Sequence, residues 1–299
     1  MSEERLGTLY ASSAYILWGF LPLYWKLVEH VSAWEILAHR ILWSFVLMMV
    51  LIVVIRRWHL FMDECKQIML NKKKLFGISA AGIIISLNWG IFIWAVNSDR
   101  VLDASLGYYI NPLISIFFGF IFLKERFSKI QWIAIAFAFS GVFFMTYNFG
   151  SVPWAALGMA ITFAFYGLLK KTVDLNAIFG LAIETLIVTP IATIYILYLG
   201  FNGTGAMGIS FEGLILIGTG LATALPLLLF GQGAKRIPLS LVGFLQYFAP
   251  TIMLLLGVFL FNESFTYVHG ITFTLIWLGL ILYSYERIQS LRKTKAKAA

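Results

Sequence analysis

Four side chains able to carry a charge or a proton stand inside long apolar runs of this 299-residue chain. "WEILAHRIL" holds Glu35, His39 and Arg40, and "LAIETLIVTP" holds Glu184 with no other charge beside it. A charge in hydrocarbon costs at least about 2.5–3.5 kcal/mol, so each of these groups needs a partner, water or a bound molecule. Two chemistries are open: a structural ion pair, or a group that meets a substrate or carries a proton. Two pairings are open as well. Arg40 and Glu184 fall on each other at a shift of about 144 between the two halves of the chain. Alternatively, Arg40 pairs with Glu35 near the outer surface.

Uncharged polar groups form a second pattern. Ser105, Tyr108, Asn111, Ser115 and Gly119 recur at helical spacing, with Pro112 beside Asn111, while Ile110, Leu113, Ile114 and Phe117 take the other faces. A later run repeats the plan with Gly243, Gln246, Ala249, Met253 and Gly257 around Pro250, and Tyr247 beside Gln246. Polar side chains avoid lipid, so both stripes are expected to face the protein interior or a wet cavity. A proline has no N–H and frees the carbonyl four residues back, here Tyr108 and Gln246. Each half then offers a loose backbone acceptor beside a hydroxyl or amide, a set suited to hydrogen-bonding a small molecule. The competing reading is a pair of packing kinks satisfied by neighbouring helices. Because Asn111 is replaced by Ala249, the two half-sites cannot offer identical contacts.

Aromatic residues supply the third pattern. Trp18, Trp89, Trp94, Tyr109, Tyr166 and Tyr247 could box an aromatic or cationic ligand, although interfacial belts and plain packing use the same residue types. Trp18 and Trp89 are the foremost candidates because they lie deep in their runs, and Asn88 adjoins Trp89. Five prolines, Pro22, Pro112, Pro190, Pro226 and Pro250, stand inside apolar runs, where kinks suit helices that bend during transport.

The elements that must position these residues follow from composition. The chain is 61% hydrophobic and 12% charged, against roughly 45–50% and about 25% for an average soluble domain. Its apolar residues come in blocks of about twenty, the length of a bilayer-spanning helix. Ten blocks are read, at 6–25, 34–55, 75–96, 102–123, 130–148, 152–169, 177–199, 211–233, 239–261 and 267–286. No alternation of apolar and polar positions suggests a membrane barrel. The first block is not expected to be a cleaved leader, since Glu3 and Glu4 precede it and no small-residue cleavage site follows. The single cysteine, Cys65, excludes an internal disulfide and argues against a thiolate metal cluster.

With the N-terminus placed in the cytoplasm, 19 of the 22 Lys and Arg fall in cytoplasmic segments, and only Lys26 and Arg100 lie opposite. That asymmetry puts both termini in the cytoplasm. The basic tail 287–299 is expected to face anionic lipid heads. Nucleic acid is disfavoured, because the tail lacks a folded platform of stacking aromatics. Lys124, Glu125 and Arg126 are expected to form an interfacial collar. Asp99 and Asp103 are expected to be solvated or to cap a helix, and 56–74 is read as a short charged loop.

A shift of 138 lays Pro112 on Pro250, Tyr109 on Tyr247, Gly119 on Gly257, Glu125 on Glu263, Phe127 on Phe265, Gly141 on Gly279 and Tyr147 on Tyr285, while Asn88 falls on Pro226. The chain thus reads as two five-helix units, 1–148 and 149–299. Five is odd, so the units are inverted relative to each other, a construction of secondary transporters with the site between the halves. No phosphate loop, H-E-x-x-H, Cys/His metal spacing or G-x-S-x-G occurs, which disfavours an ATP-driven pump, a metal or cofactor site and an enzyme.

"LNWGIFIWAVNSDRVLDASLGYYINPLISIFFGFIFLKERFSKIQWIAI", Leu87 to Ile135, closely resembles the RarD-type branch of the EamA family, within the drug/metabolite transporter superfamily. "FAFYGLLKK", "IETLIVTP" and "GFLQYFAPTIMLLLGV" resemble the same branch. The likeness spans nearly the whole chain. It implies an all-α polytopic membrane protein with ten transmembrane helices, as two inverted five-helix repeats around a central cavity. It also implies a secondary transporter in a bacterial cytoplasmic membrane, exporting a small amphipathic metabolite or drug, with protons as a candidate coupling ion. Members have been called chloramphenicol-sensitivity or resistance permeases. The rival classes are a flippase for a lipid-linked intermediate and a non-transporting scaffold or sensor. Small residues such as Gly141, Gly270 and Gly279 permit close helix contacts, within one chain or in a homodimer.

Overall fold

Lipid offers a backbone no hydrogen-bonding partner, so long apolar runs must fold as helices that satisfy themselves. The computed structural model describes residues 2–97, 101–150, 153–173, 175–262 and 265–298, with the side chains at 93, 96–97, 101–105 and 291–298 left out. Asp99, Arg100 and Glu263, and the side chains of Asp103 and Ser105, therefore lie outside the described residues. The chain forms α1 (Glu3–Trp25), α2 (Ala33–Val54), α3 (Trp58–Leu70), α4 (Lys72–Asn97), α5 (Val101–Phe122) and α6 (Lys129–Phe149). It continues as α7 (Trp154–Thr172), α8 (Ala177–Phe201), α9 (Phe211–Arg236), α10 (Leu239–Gln246), α11 (Phe248–Phe259) and α12 (Tyr267–Ala298). Among the described residues there is no strand.

Eight described stretches are long and apolar enough to cross a bilayer: α1, α2, α4, α6, α8, α9, α10 with α11, and α12. The protein is thus an all-α polytopic membrane protein. Leu106–Phe122 of α5 is apolar but shorter, and α7 ends in Lys170 and Lys171. The exterior is what lipid contact requires: Phe143 is 60% exposed and Ile191 71% exposed.

Local signals explain the ends. Ser128 and Gln131 form a reciprocal capping box at the start of α6. Gly150 closes that helix at φ +78°, a conformation that costs glycine nothing.

Three details depart from the sequence reading. The stretch 56–74 is not a plain loop: α3 buries Phe61 and Ile68 against the bundle. The basic tail does not leave the last helix at 286, since α12 continues to Ala298. The two proline-centred runs also differ. α5 passes unbroken through Pro112, whereas the equivalent run breaks at Tyr247 into α10 and α11. Pro250 cannot bond the Gln246 carbonyl, and the chain relaxes by parting there.

α1 packs along α9 and α4 along α7, while α2 lies on both α8 and α9. α5 packs on α7 and α10, and α6 on α12. Gly279 permits the last of these close crossings, since a Cβ there would stand 2.6 Å from the Ala134 carbonyl oxygen.

Candidate functional site

The end of the bundle formed by the close of α1 and the start of α2 contains a cavity of about 450 Å³, within the usual range of about 300–1,000 Å³ for small-molecule sites. Pro22, Trp25 and Lys26 line it from α1 and the turn after it, Arg40 from α2, Trp89 and Phe92 from α4, and Phe261 from beyond α11. The Arg40 guanidinium carbon lies 4.9 Å from the Trp25 ring centre and 4.9 Å from the Trp89 ring centre. Its Nε donates to Thr223 Oγ1 of α9 at 3.0 Å. At the rim, Lys26 Nζ sits 4.6 Å from the Phe261 ring centre.

Glu35 and Glu184 are each engaged away from Arg40. The backbone N–H of Ala206 donates to Glu35 Oε1 at 2.6 Å. His39 Nε2 lies 3.8 Å from that same oxygen, too far for a hydrogen bond, and neither ring nitrogen of His39 has a hydrogen-bond partner among the described residues. Glu184 does not pair with Arg40, contrary to one of the two expected pairings. Lys170 Nζ lies 2.8 Å from Glu184 Oε1, and the Tyr166 hydroxyl donates to Glu184 Oε2 at 3.1 Å. The pairing of Arg40 with Glu35 fails too, because the guanidinium turns to Thr223 and the two tryptophans. The sequence reading had placed Lys170 in a loop, yet it lies in the last turn of α7 and is buried.

Two small cavities of about 10 Å³ flank this buried pair, each close to the size that holds a single water. One touches Trp89, Tyr166 and Glu184; the other touches Glu184, Lys170 and Lys235. Trp89 thus borders the large cavity on one side and the chamber of Glu184 on the other.

The two polar stripes meet each other. Gln246 Nε2 donates to Ser115 Oγ at 3.0 Å, and Ser115 Oγ donates to Asn111 Oδ1 at 3.4 Å. The Tyr247 hydroxyl donates to the Tyr109 carbonyl at 3.4 Å. Gly243 makes this seam possible, because a Cβ there would stand 2.7 Å from the Pro112 carbonyl oxygen. The seam is tight, and the buried side chains of Tyr15 and Gln246 face each other beside it.

The other expected site residues make the following contacts. Asn88 ties α4 to α7 through the Met159 carbonyl at 2.8 Å and Thr162 Oγ1 at 2.9 Å. Trp18 packs with Tyr15, Phe163 and Phe230, and Tyr166 stacks on Phe230. Tyr108 packs beside Ala95, Ala155 and Met159 and stands close enough to Arg40 to interact with its charge. Pro22 lines the large cavity, whereas Pro226 is buried within α9 and Pro190 lies inside α8.

At the opposite end of the bundle, polar contacts join helices of the two halves. Glu125 does not stand in an interfacial collar: its two oxygens accept the backbone N–H groups of Leu239 at 2.6 Å and Ser240 at 3.0 Å, capping α10. Such a contact suits the positive end of a helix dipole. Glu3 pairs with Arg236 at 3.0 Å and Glu4 with Arg287 at 2.6 Å, joining α1 to α9 and α12. Trp25, Phe92, Phe261, Lys170 and the capping role of Glu125 escaped the sequence reading. Of these, only Lys170 carried a readable signal, as a cation one helical turn from Tyr166.

Residues 5–147 match the family described as the EamA-like transporter family. The Bacillus subtilis protein called "Uncharacterized transporter YojE" is 42% identical over 99% of this chain and 99% of its own length. The Escherichia coli protein RarD is 42% identical over 98% of each chain. A solved crystal structure superposes with a TM-score of 0.74 at 17% identity, covering 95% of this chain and 99% of that one, and so speaks to the fold alone. On this likeness the chain belongs to the EamA-like transporter family, in its RarD-type branch, and is a membrane transporter of the drug/metabolite transporter type.

Proposed function

We propose that this protein is a secondary transporter of a bacterial cytoplasmic membrane that exports a small amphipathic molecule by alternating access. The observation that carries the reading is the one-sided opening. A cavity of about 450 Å³ reaches Arg40 and Trp89 from one end, while Glu125 on α10 and the Glu3 and Glu4 ion pairs bind the other end together. Such a shape is one state of a transporter that opens to either side in turn. The excess of Lys and Arg on the tied end assigns it to the cytoplasm.

The same reading takes the chain as ten spans in two inverted five-helix units, 1–148 and 149–299, with both termini cytoplasmic. Helix pairing supports it. Exchanging the units carries the α1–α9 pair onto α7–α4, and leaves α2–α8, α5–α10 and α6–α12 unchanged. Alternating access then amounts to the two units exchanging their conformations. The break at Tyr247 and the unbroken α5 are the asymmetry such an exchange would reverse.

A panel of labelled aromatic acids, their amides and aromatic amines, offered to proteoliposomes with and without an imposed proton gradient, tests the proposal. Saturable, protein-dependent movement of at least one member is the expected result, and dependence on the gradient identifies protons as the coupling ion. No protein-dependent movement across the panel contradicts it.

A further inference from the structure

The large cavity has one charged group at its inner wall, and that group is incompletely satisfied. The guanidinium of Arg40 has two faces and an in-plane edge. The rings of Trp25 and Trp89 lie against it, each ring centre 4.9 Å from the guanidinium carbon. Nε is spent on Thr223. Nη1 and Nη2 make no hydrogen bond found among the described residues, Tyr108 stands close enough to feel the Arg40 charge, and Arg40 borders the cavity. Among the described residues no carboxylate stands within ion-pair distance of Arg40. Glu35 accepts from Ala206, and Glu184 belongs to Lys170 and Tyr166. Lys26 and Glu29, both exposed, border the same cavity and offset each other in charge.

We infer that this cavity is a site for an organic anion with a flat apolar body, its carboxylate held by Arg40 beside Trp25 and Trp89. Carboxylate matches the fork of a guanidinium bidentately, and a fork already held by Thr223 and two ring contacts loses little freedom on binding. A cation with no carboxylate partner among the described residues favours an anion over its neutral analogue. Phe92, Phe261 and the tryptophan edges form an apolar shell for the body of the ligand. A cationic molecule meets Arg40 head-on and is excluded. This inference rests on the transport reading only for calling the ligand a substrate.

Binding is measured without any flux, by equilibrium dialysis of 2-naphthoate, 2-naphthamide and 2-naphthylmethylammonium against the purified full chain in detergent, with a protein-free micelle blank. Naphthoate is expected to bind saturably and at least tenfold more tightly than the amide, and the amine not at all. Arg40→Gln should bring acid and amide within about twofold of each other, and Arg40→Lys should recover part of the preference. Trp25→Ala should weaken acid and amide together while keeping the acid ahead. A wild-type preference below tenfold, or a preference that survives Arg40→Gln, overturns the assignment. Should Arg40→Gln fail to fold, the wild-type ratio with the Trp25→Ala comparison decides. Naphthoate that binds as stated but is not moved in proteoliposomes counts against transport and leaves the anion site standing.

Discussion

Lys170 Nζ lies 2.8 Å from Glu184 Oε1, with only 7% and 2% of the two side chains exposed. The pair links α7 to α8, and Tyr166 adds a hydrogen bond to the second carboxylate oxygen. Removing one partner of a buried pair strands the other charge, at a cost of about 3–5 kcal/mol, whereas replacing both by apolar groups is often neutral. Glu184→Gln alone and Lys170→Met alone should each lower the thermal midpoint in detergent markedly, and Lys170→Met with Glu184→Leu should recover most of it. A double variant as unstable as the sum of the singles assigns the pair no structural role.

The same carboxylate borders both small cavities between the large cavity and the tied end. As a proton carrier, Glu184 should be dispensable for exchange but not for accumulation. The double variant Lys170→Met, Glu184→Leu, if stable, is then expected to keep counterflow and lose proton-driven accumulation. Retention of both activities in proteoliposomes removes Glu184 from any coupling role.

In the seam of Gln246, Ser115 and Asn111, the first two side chains are buried. Gln246→Ala leaves buried Ser115 without its donor, a loss of about 1–3 kcal/mol. Phe117, which is 54% exposed on the far face of α5, makes no such contact. Transport should fall at least tenfold for Gln246→Ala and change little for Phe117→Ala at equal expression. Equal losses for both would return the stripe to ordinary packing.

How much of this was readable beforehand differs by residue. The runs of about twenty apolar residues were legible because a continuous apolar run crosses a bilayer as a helix, and the stripes around Pro112 and Pro250 were legible as interior faces. Arg40 was legible as a cation in the wrong solvent. Its surroundings were not: Trp25 sits at a helix end, where tryptophan is ordinary, and Phe92 and Phe261 carry no chemistry to notice. Lys170 was lost because a lysine near a span end reads as a solvated collar, and only the packing of α7 on α8 buries it. Glu125 failed the same way, since its partners are backbone N–H groups that no residue type announces.

Topology follows from the loop charges. A cysteine at Asn202, which is exposed after α8, should react with an impermeant thiol reagent from outside intact cells, in a Cys65→Ser background. One at Lys73, at the start of α4, should react only after permeabilisation. The reverse pattern inverts the orientation and places the large cavity on the cytoplasmic side.

Alternating access is tested most directly at the contact that holds one end shut. The side chains of Glu3 on α1 and Arg236 on α9 approach within 3.0 Å at that end and stay accessible, so cysteines at the two positions, in a Cys65→Ser background, can be bridged by a reducible bifunctional thiol reagent. Counterflow of a panel-identified probe in proteoliposomes is then followed before bridging, after it and after reduction. Bridging should abolish counterflow and reduction restore it, because a protein fastened at one end cannot release its cargo there. Undiminished counterflow with the bridge verified on a gel would contradict the account.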